Sequence, residues 1–307
     1  MDHVAGGTSG SPRHARRLNQ VFRRRGVGLG ALLGPPLSFL LVVYVGSLVL
    51  LVVAAFFSLD PQSQKPTTPL TTQNLTDTFG NLTVLRLFAE TVATAIVVTL
   101  ICVLIALPTA YFVATIAPKW SRRWLMVTML LPLWAGYLVK VYAWRAMVAP
   151  AGRFAAAGRG GGGFLQSVLG MTPGYSRAAV VIALTYLWVP YMILPIYAGL
   201  ERMPASLLDA SADLGAKSLR TFRSVILPLL LPSVAAGSIF TFSLTLGDYI
   251  SPGIVIDGKK RVLFGETIDA TLGGPNQPLA AAYTLLPLIV ILAYLLAMKR
   301  AGAFENL

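Results

Sequence analysis

Six stretches of this chain contain no Asp, Glu, Lys or Arg: 26–59, 91–118, 124–139, 178–200, 224–247 and 270–298. A helix that crosses a bilayer needs about 20 predominantly apolar residues, and within the hydrocarbon it must satisfy its own backbone hydrogen bonds. The pattern therefore predicts an all-α polytopic membrane protein with six helices near 36–57, 88–115, 124–147, 178–200, 229–250 and 279–298. The third charge-free stretch is short, and Lys140 and Arg145 at its far end are long enough to snorkel. Pro35-Pro36 suits the first turn of the first helix. Pro108, Pro132, Pro190, Pro195 and Pro287 fall inside spans, where neighbouring helices or water can satisfy the freed carbonyl. The first span is too long for the apolar region of a cleaved signal peptide and lacks a convincing small-x-small cleavage site before Asp60.

Composition excludes other classes. Charged residues are 12% of the chain, against about 25% for soluble domains. One cysteine, Cys102, excludes an intramolecular disulfide or a cysteine-cluster metal site. The two histidines, His3 and His14, lie in the N-terminal tail, so a Ser-His-Asp triad or a zinc protease motif has no place in the membrane body. No Gly-x-x-x-x-Gly-Lys-Ser/Thr run occurs, so this chain is not itself an ATPase. The run Gly160–Gly163 lacks the Lys-Ser/Thr and flanking strand of a phosphate loop and reads as a flexible connection.

The net charge of +13 reports orientation. Fifteen of the 25 lysines and arginines fall on the side of the N-terminal tail and eight on the other, which places both termini in the cytoplasm. Residues 1–28, with Arg13, Arg16, Arg17, Arg23, Arg24 and Arg25, form an expected disordered tail attracted to anionic membrane lipid rather than to nucleic acid. Residues 29–307 form the membrane domain. The outer loop 58–86 carries two matches to a glycosylation sequon, at Asn74 and Asn81, a pattern short enough to arise by chance.

The connection 201–228 is longer than two membrane helices need. Pro204 suits a helix start and Gly215 a helix stop. Leu207, Leu208, Ala210, Ser211 and Leu214 make one face of that short helix apolar or small, and a second helical start at Ser218 runs into the fifth span. Such a helix is either a docking surface for a partner groove or one that lies in the lipid interface. The residue pattern leaves both open.

Asp209-Ala210-Ser211, then Gly215, then Val225-Ile226-Leu227-Pro228 resembles the EAA loop of ABC-importer permeases. The family pattern has Glu-Ala-Ala, so Asp209 shortens the reach of the charge and Ser211 keeps the residue small; Val225 replaces the usual Ile. Leu131–Arg145, Trp188–Pro195 and Leu246–Pro252 resemble the spermidine/putrescine subgroup, while 150–165 departs from it with a glycine-rich insertion. The resemblance implies a type I permease of a bacterial cytoplasmic (inner) membrane. It would pair with a second permease subunit, identical or homologous, with a cytoplasmic ABC ATPase dimer and with an extracytoplasmic solute-binding protein. This chain would bind no cofactor, since ATP and Mg belong to the ATPase. Leu207, Leu208, Asp209, Ala210, Ser211, Gly215, Val225, Leu227 and Pro228 would couple to that ATPase.

The implied solute is a polyamine; relatives carry ferric iron, phosphonates or thiamine. The alternative class is a secondary transporter that works without an ATPase, which inverted repeats would favour, and none is visible. Carboxylates and aromatic faces both attract cations, which makes Glu90, Trp144, Trp188, Tyr191 and Asp248 the candidate solute path. The alternative account of the same residues is interfacial anchoring and helix capping, since Trp and Tyr favour that zone.

Overall fold

The computed structural model describes residues 25–60, 62, 66–149, 173–256, 258 and 261–300. Residues 1–24 of the expected tail 1–28 and the glycine run at 160–163 lie outside the described residues.

Helix α1 (Arg25–Ala54) forms a unit by itself. Pro35 and Pro36 sit within it rather than at its start. The helix begins earlier than expected because Gly26–Gly34 carries no charge and no proline to stop it.

The second unit opens on a hairpin of β1 (Phe57–Leu59) and β2 (Pro66–Leu70), followed by α2 (Gln73–Gly80). The outer connection is thus structured. Both sequon asparagines have structural work. The Asn74 amide donates to the carbonyls of Ala55 (2.9 Å) and Phe57 (2.8 Å) and is buried. The Asn81 side chain accepts from the backbone N–H of Thr83 (3.0 Å) and caps the next helix.

That helix, α3 (Leu82–Tyr111), continues as a π turn at Phe112–Ile116. Thr91, Thr94 and Thr99 turn their hydroxyls onto carbonyls four residues back, so that polar side chains enter an apolar helix with their hydrogen bonds made. The chain then forms α4 (Lys119–Trp134) and α5 (Tyr137–Val148).

The expected continuous third span, 124–147, is corrected here. It breaks at Ala135-Gly136, and the two pieces meet at 93°. Both residues are extended, with ψ of 134° and 136°. Pro132, which has no N–H, and Gly136, a poor helix former, stand on either side of Trp134 and weaken the helix where it stops. Among the described residues, five helices are long and apolar enough to cross a membrane, and the bent pair makes a sixth crossing if it acts as one span.

Helix α6 (Arg177–Glu201) is capped by Ser176 and contains Pro190 and Pro195. After it come α7 (Ala205–Asp213), α8 (Ser218–Thr221), a π turn at Phe222–Ile226, and α9 (Leu227–Leu246). The chain closes with α10 (Ile250–Val255), α11 (Phe264–Leu272) and α12 (Gln277–Arg300). The expected fifth span to residue 250 therefore ends at Leu246, where Gly247 and Asp248 turn the chain into α10.

Helices α3, α6 and α9 pack on one another and make the centre of the bundle. Small residues allow the approach of α6 and α9: a Cβ on Gly199 would lie 2.2 Å from Ser233 Oγ, and one on Gly237 would lie 2.6 Å from Met192 Sδ. Polar pairs cross the contacts, with Thr241 donating to Thr99 (3.4 Å) and Tyr294 to Ser238 (2.8 Å). A second cluster joins Phe88, Phe242, Phe264 and Tyr283 at the other end.

Candidate functional site

Two regions carry chemistry, one at each end of α9. The first is the connection 201–228. Helix α7 stops where Gly215 takes φ +72°, and the Ala216 N–H donates to the Ser211 carbonyl (3.1 Å) across that turn. This six-to-one bond over a left-handed glycine is the Schellman geometry, which a side chain at 215 would strain.

The small-and-apolar face divides into two. Ser211 is buried and shares a hydrogen bond with Thr221 (2.8 Å), while Leu208 packs against the core. Leu207, Ala210 and Leu214, with Ser211 at the base, line an open groove of about 370 Å3 with Val225 and Arg220. Leu214 is 88% exposed. Asp209 and Pro228 are exposed and Leu227 is half-buried. The end of α3 meets the π turn that leads into α9 beside this loop, with Tyr111 and Phe222 edge to face at 5.7 Å.

A clasp lies at the same end. Arg122 Nε donates to the Tyr197 hydroxyl (3.0 Å), Tyr197 donates to Glu201, and Arg122 pairs with Glu201 (3.4 Å). Both charged side chains are partly exposed, so this pair contributes about 1 kcal/mol at most to stability.

The second region is at the far end of α9, about 30 Å along the helix. Asp248 is buried. Its Oδ1 accepts from the backbone N–H of Ile250 and Ser251, each at 3.0 Å, and starts α10. The Tyr137 hydroxyl donates to the carboxylate at 2.8 and 3.0 Å. Its single proton is used there, so Ser251 must be the donor in the short contact between the two hydroxyls. No basic side chain pairs with Asp248 among the described residues.

The Tyr137 ring stacks on Trp188 at 6.1 Å, and Tyr191 meets Trp188 edge-on at 5.9 Å. The Trp188 indole N–H is buried with no partner among the described residues. Gly265 is close behind: a Cβ there would lie 2.7 Å from the Asp248 carbonyl.

Three of the five candidate path residues, Trp188, Tyr191 and Asp248, thus come together, and Tyr137 joins them. Sequence reasoning assigned Tyr137 no role. It is 111 residues from Asp248, and its only signal was membership of the block 131–145. Glu90 is held by two arginines, Arg86 four residues before it and Arg177 on α6. Trp144 lines a separate apolar groove with Ile101, Ile105, Val181 and Tyr186.

Glu266 closes the far end. Its Oε2 accepts from the backbone N–H of Val262 (2.7 Å) and Leu263 (3.0 Å). Burial raises its pKa, opposed by those two N–H groups and by Arg261; the Asp248 charge adds to the rise. A folded-state pKa above the unfolded one means the folded state holds the proton more tightly. The stability from Glu266 is therefore present below the ordinary glutamate value of about 4.3 and is lost as pH rises through the raised value. Melting temperatures of the purified protein across that range should fall with rising pH, and Glu266→Gln should flatten the slope.

Residues 106–301 match the family described as binding-protein-dependent transport system inner membrane component. The chain belongs to that family. It is a transmembrane permease subunit of an ABC importer, a multi-pass inner-membrane protein that couples to a cytoplasmic ATPase. The permease is 40% identical over 299 residues to the inner membrane ABC transporter permease protein YdcU of Escherichia coli (strain K12), covering 92% of each chain. It is 31% identical to the spermidine/putrescine transport system permease protein PotB of Haemophilus influenzae, covering 81% of this chain and 87% of PotB. Its fold matches a chain of a bacterial ABC transporter involved in the import of the acidic polysaccharide alginate. That match has a TM-score of 0.62 and 14% identity, and covers 92% of this chain and 99% of the other.

Proposed function

We propose that this permease carries polyamines, spermidine or putrescine, and that Asp248, with Tyr137, Trp188 and Tyr191, receives an ammonium group on the way. The observation that carries the reading is the buried Asp248 carboxylate without a basic partner among the described residues, beside a stack of aromatic rings. A buried negative charge is unfavourable until a cation compensates it. Aromatic faces add cation–π attraction for an ammonium and none for an anion. The resemblance to PotB proteins supports the same solute class.

In this reading both termini are cytoplasmic, and a second permease subunit completes the path. An external binding protein delivers the solute to the end that carries Asp248. Helix α7, with Leu207, Asp209, Ala210 and the Gly215 stop, sits in a cleft of the ATPase dimer. Closure of that dimer on ATP draws the two coupling helices together and opens the path outward. Glu90, already paired with Arg86 and Arg177, and Trp144, in a separate groove, lie apart from this cluster.

The test is ATP hydrolysis by the complex reconstituted with its ATPase and matching binding protein. Saturable stimulation by spermidine or putrescine is expected. A complex that hydrolyses ATP and is stimulated by neither would remove the polyamine assignment and leave the permease intact.

A further inference from the structure

We infer that α4 is a rigid lever carrying coupling-loop movement to the Asp248 cluster, with the Arg122–Tyr197–Glu201 clasp as its attachment. The inference rests on the reading of α7 as the coupling helix.

Glu201 is the last residue of α6, and α7 begins at Ala205. Any displacement of α7 therefore reaches Glu201 within one turn of chain. Arg122 lies in the first turn of α4 and holds Glu201 and the Tyr197 hydroxyl together, with its guanidinium over the Tyr197 ring at 5.5 Å. From Arg122, α4 (Lys119–Trp134) runs on for about 18 Å to the break at Ala135-Gly136. Directly beyond the break, Tyr137 holds Asp248 and Ser251 and stacks on Trp188. One helix thus has its first turn on the end of α6 that leads into the coupling loop, and its far end one hinge away from the solute-side cluster.

Its middle is loosely held. No residue of α4 is buried among the described residues; Leu125, Met126 and Met129 are only partly covered where they touch the core. A helix fastened at its first turn, lightly packed along its length and joined to the Tyr137 cluster through a two-residue break can move as a rod. The extended Ala135-Gly136 joint absorbs the rotation, as a few residues at an element's end do in hinge motions. The clasp itself is partly exposed, an interaction that can open and re-form during a transport cycle. Coupling through a contiguous physical path needs such an element with two positions, biased from both ends.

The test uses the full complex of permease pair, ATPase and binding protein in proteoliposomes, measuring solute moved per ATP hydrolysed. Arg122→Gln should lower that ratio at least about fivefold while ATP hydrolysis and ATPase copurification persist. Tyr197→Phe should lower it less. The charge exchange Arg122→Glu with Glu201→Arg should restore part of it, which a merely misfolded Arg122→Gln would not predict.

An unchanged ratio in Arg122→Gln would overturn the lever. Loss of the ATPase from that variant would overturn it as well, by making the clasp part of the dock. Failure of the coupling-helix reading shows separately, as ATPase still bound to a permease that lacks residues 204–216.

Discussion

A permease lacking residues 204–216 should insert into the membrane and lose its ATPase. The deletion removes α7 and its glycine stop but no residue of a membrane-crossing helix, since α6 ends at Glu201 and the next helical segment starts at Ser218. Insertion depends on the apolar spans and follows them. The groove lined by Leu207, Ala210 and Leu214 disappears with the deletion. Copurified ATPase should drop to the level of a membrane preparation without the permease. If α7 instead lay on the lipid surface, the ATPase would stay bound and solute transport would persist, and the coupling role of these residues would be lost.

Asp248→Asn should leave the fold standing and impair solute movement. Asparagine keeps the Oδ1 acceptor for the N–H groups of Ile250 and Ser251, so the start of α10 survives. It removes the negative charge. A hydrogen bond to a charged group contributes about 1.5–3 kcal/mol, and about 1.4 kcal/mol is a factor of ten in affinity. The spermidine concentration for half-maximal uptake should therefore rise roughly 10- to 100-fold, with the melting temperature little changed. Tyr137→Phe is the companion measurement: it keeps the stack on Trp188 and removes only the hydroxyl. Equal uptake by Asp248→Asn and the unmodified chain would take Asp248 out of the path.

Features that depend on a few adjacent residues were legible in the chain. Absence of charge marked the membrane helices, because an uncompensated charge is unfavourable in hydrocarbon wherever the helix packs. Gly215 marked the end of α7, because a left-handed turn selects glycine locally. Pro204 marked its start for a similar reason. Of the Glu90 partners, Arg86 was readable at four residues' spacing; Arg177, 87 residues away, was not.

The break in the third span shows the limit. Pro132 and Gly136 were both visible, yet prolines inside other helices of the same chain leave them continuous, as Pro195 does in α6. Whether a weak point becomes a bend depends on what the two halves can pack against. Here α5 finds α10 and α6, while α4 packs mainly on α6 and the π turn that follows α3 among the described residues.

What the sequence by itself determined is the set of apolar helices, the separate short helix at 205–213 with its left-handed stop, and the family pattern carried by that loop. Each follows from hydropathy or from backbone geometry within a turn or two. Only the tertiary structure decided that Asp248 meets Tyr137, that Arg122 clasps Glu201 and that the third span turns through 93°. Those pairings lie 79 to 111 residues apart or depend on neighbours across the bundle, and they form only once the packed helices bring the side chains within reach.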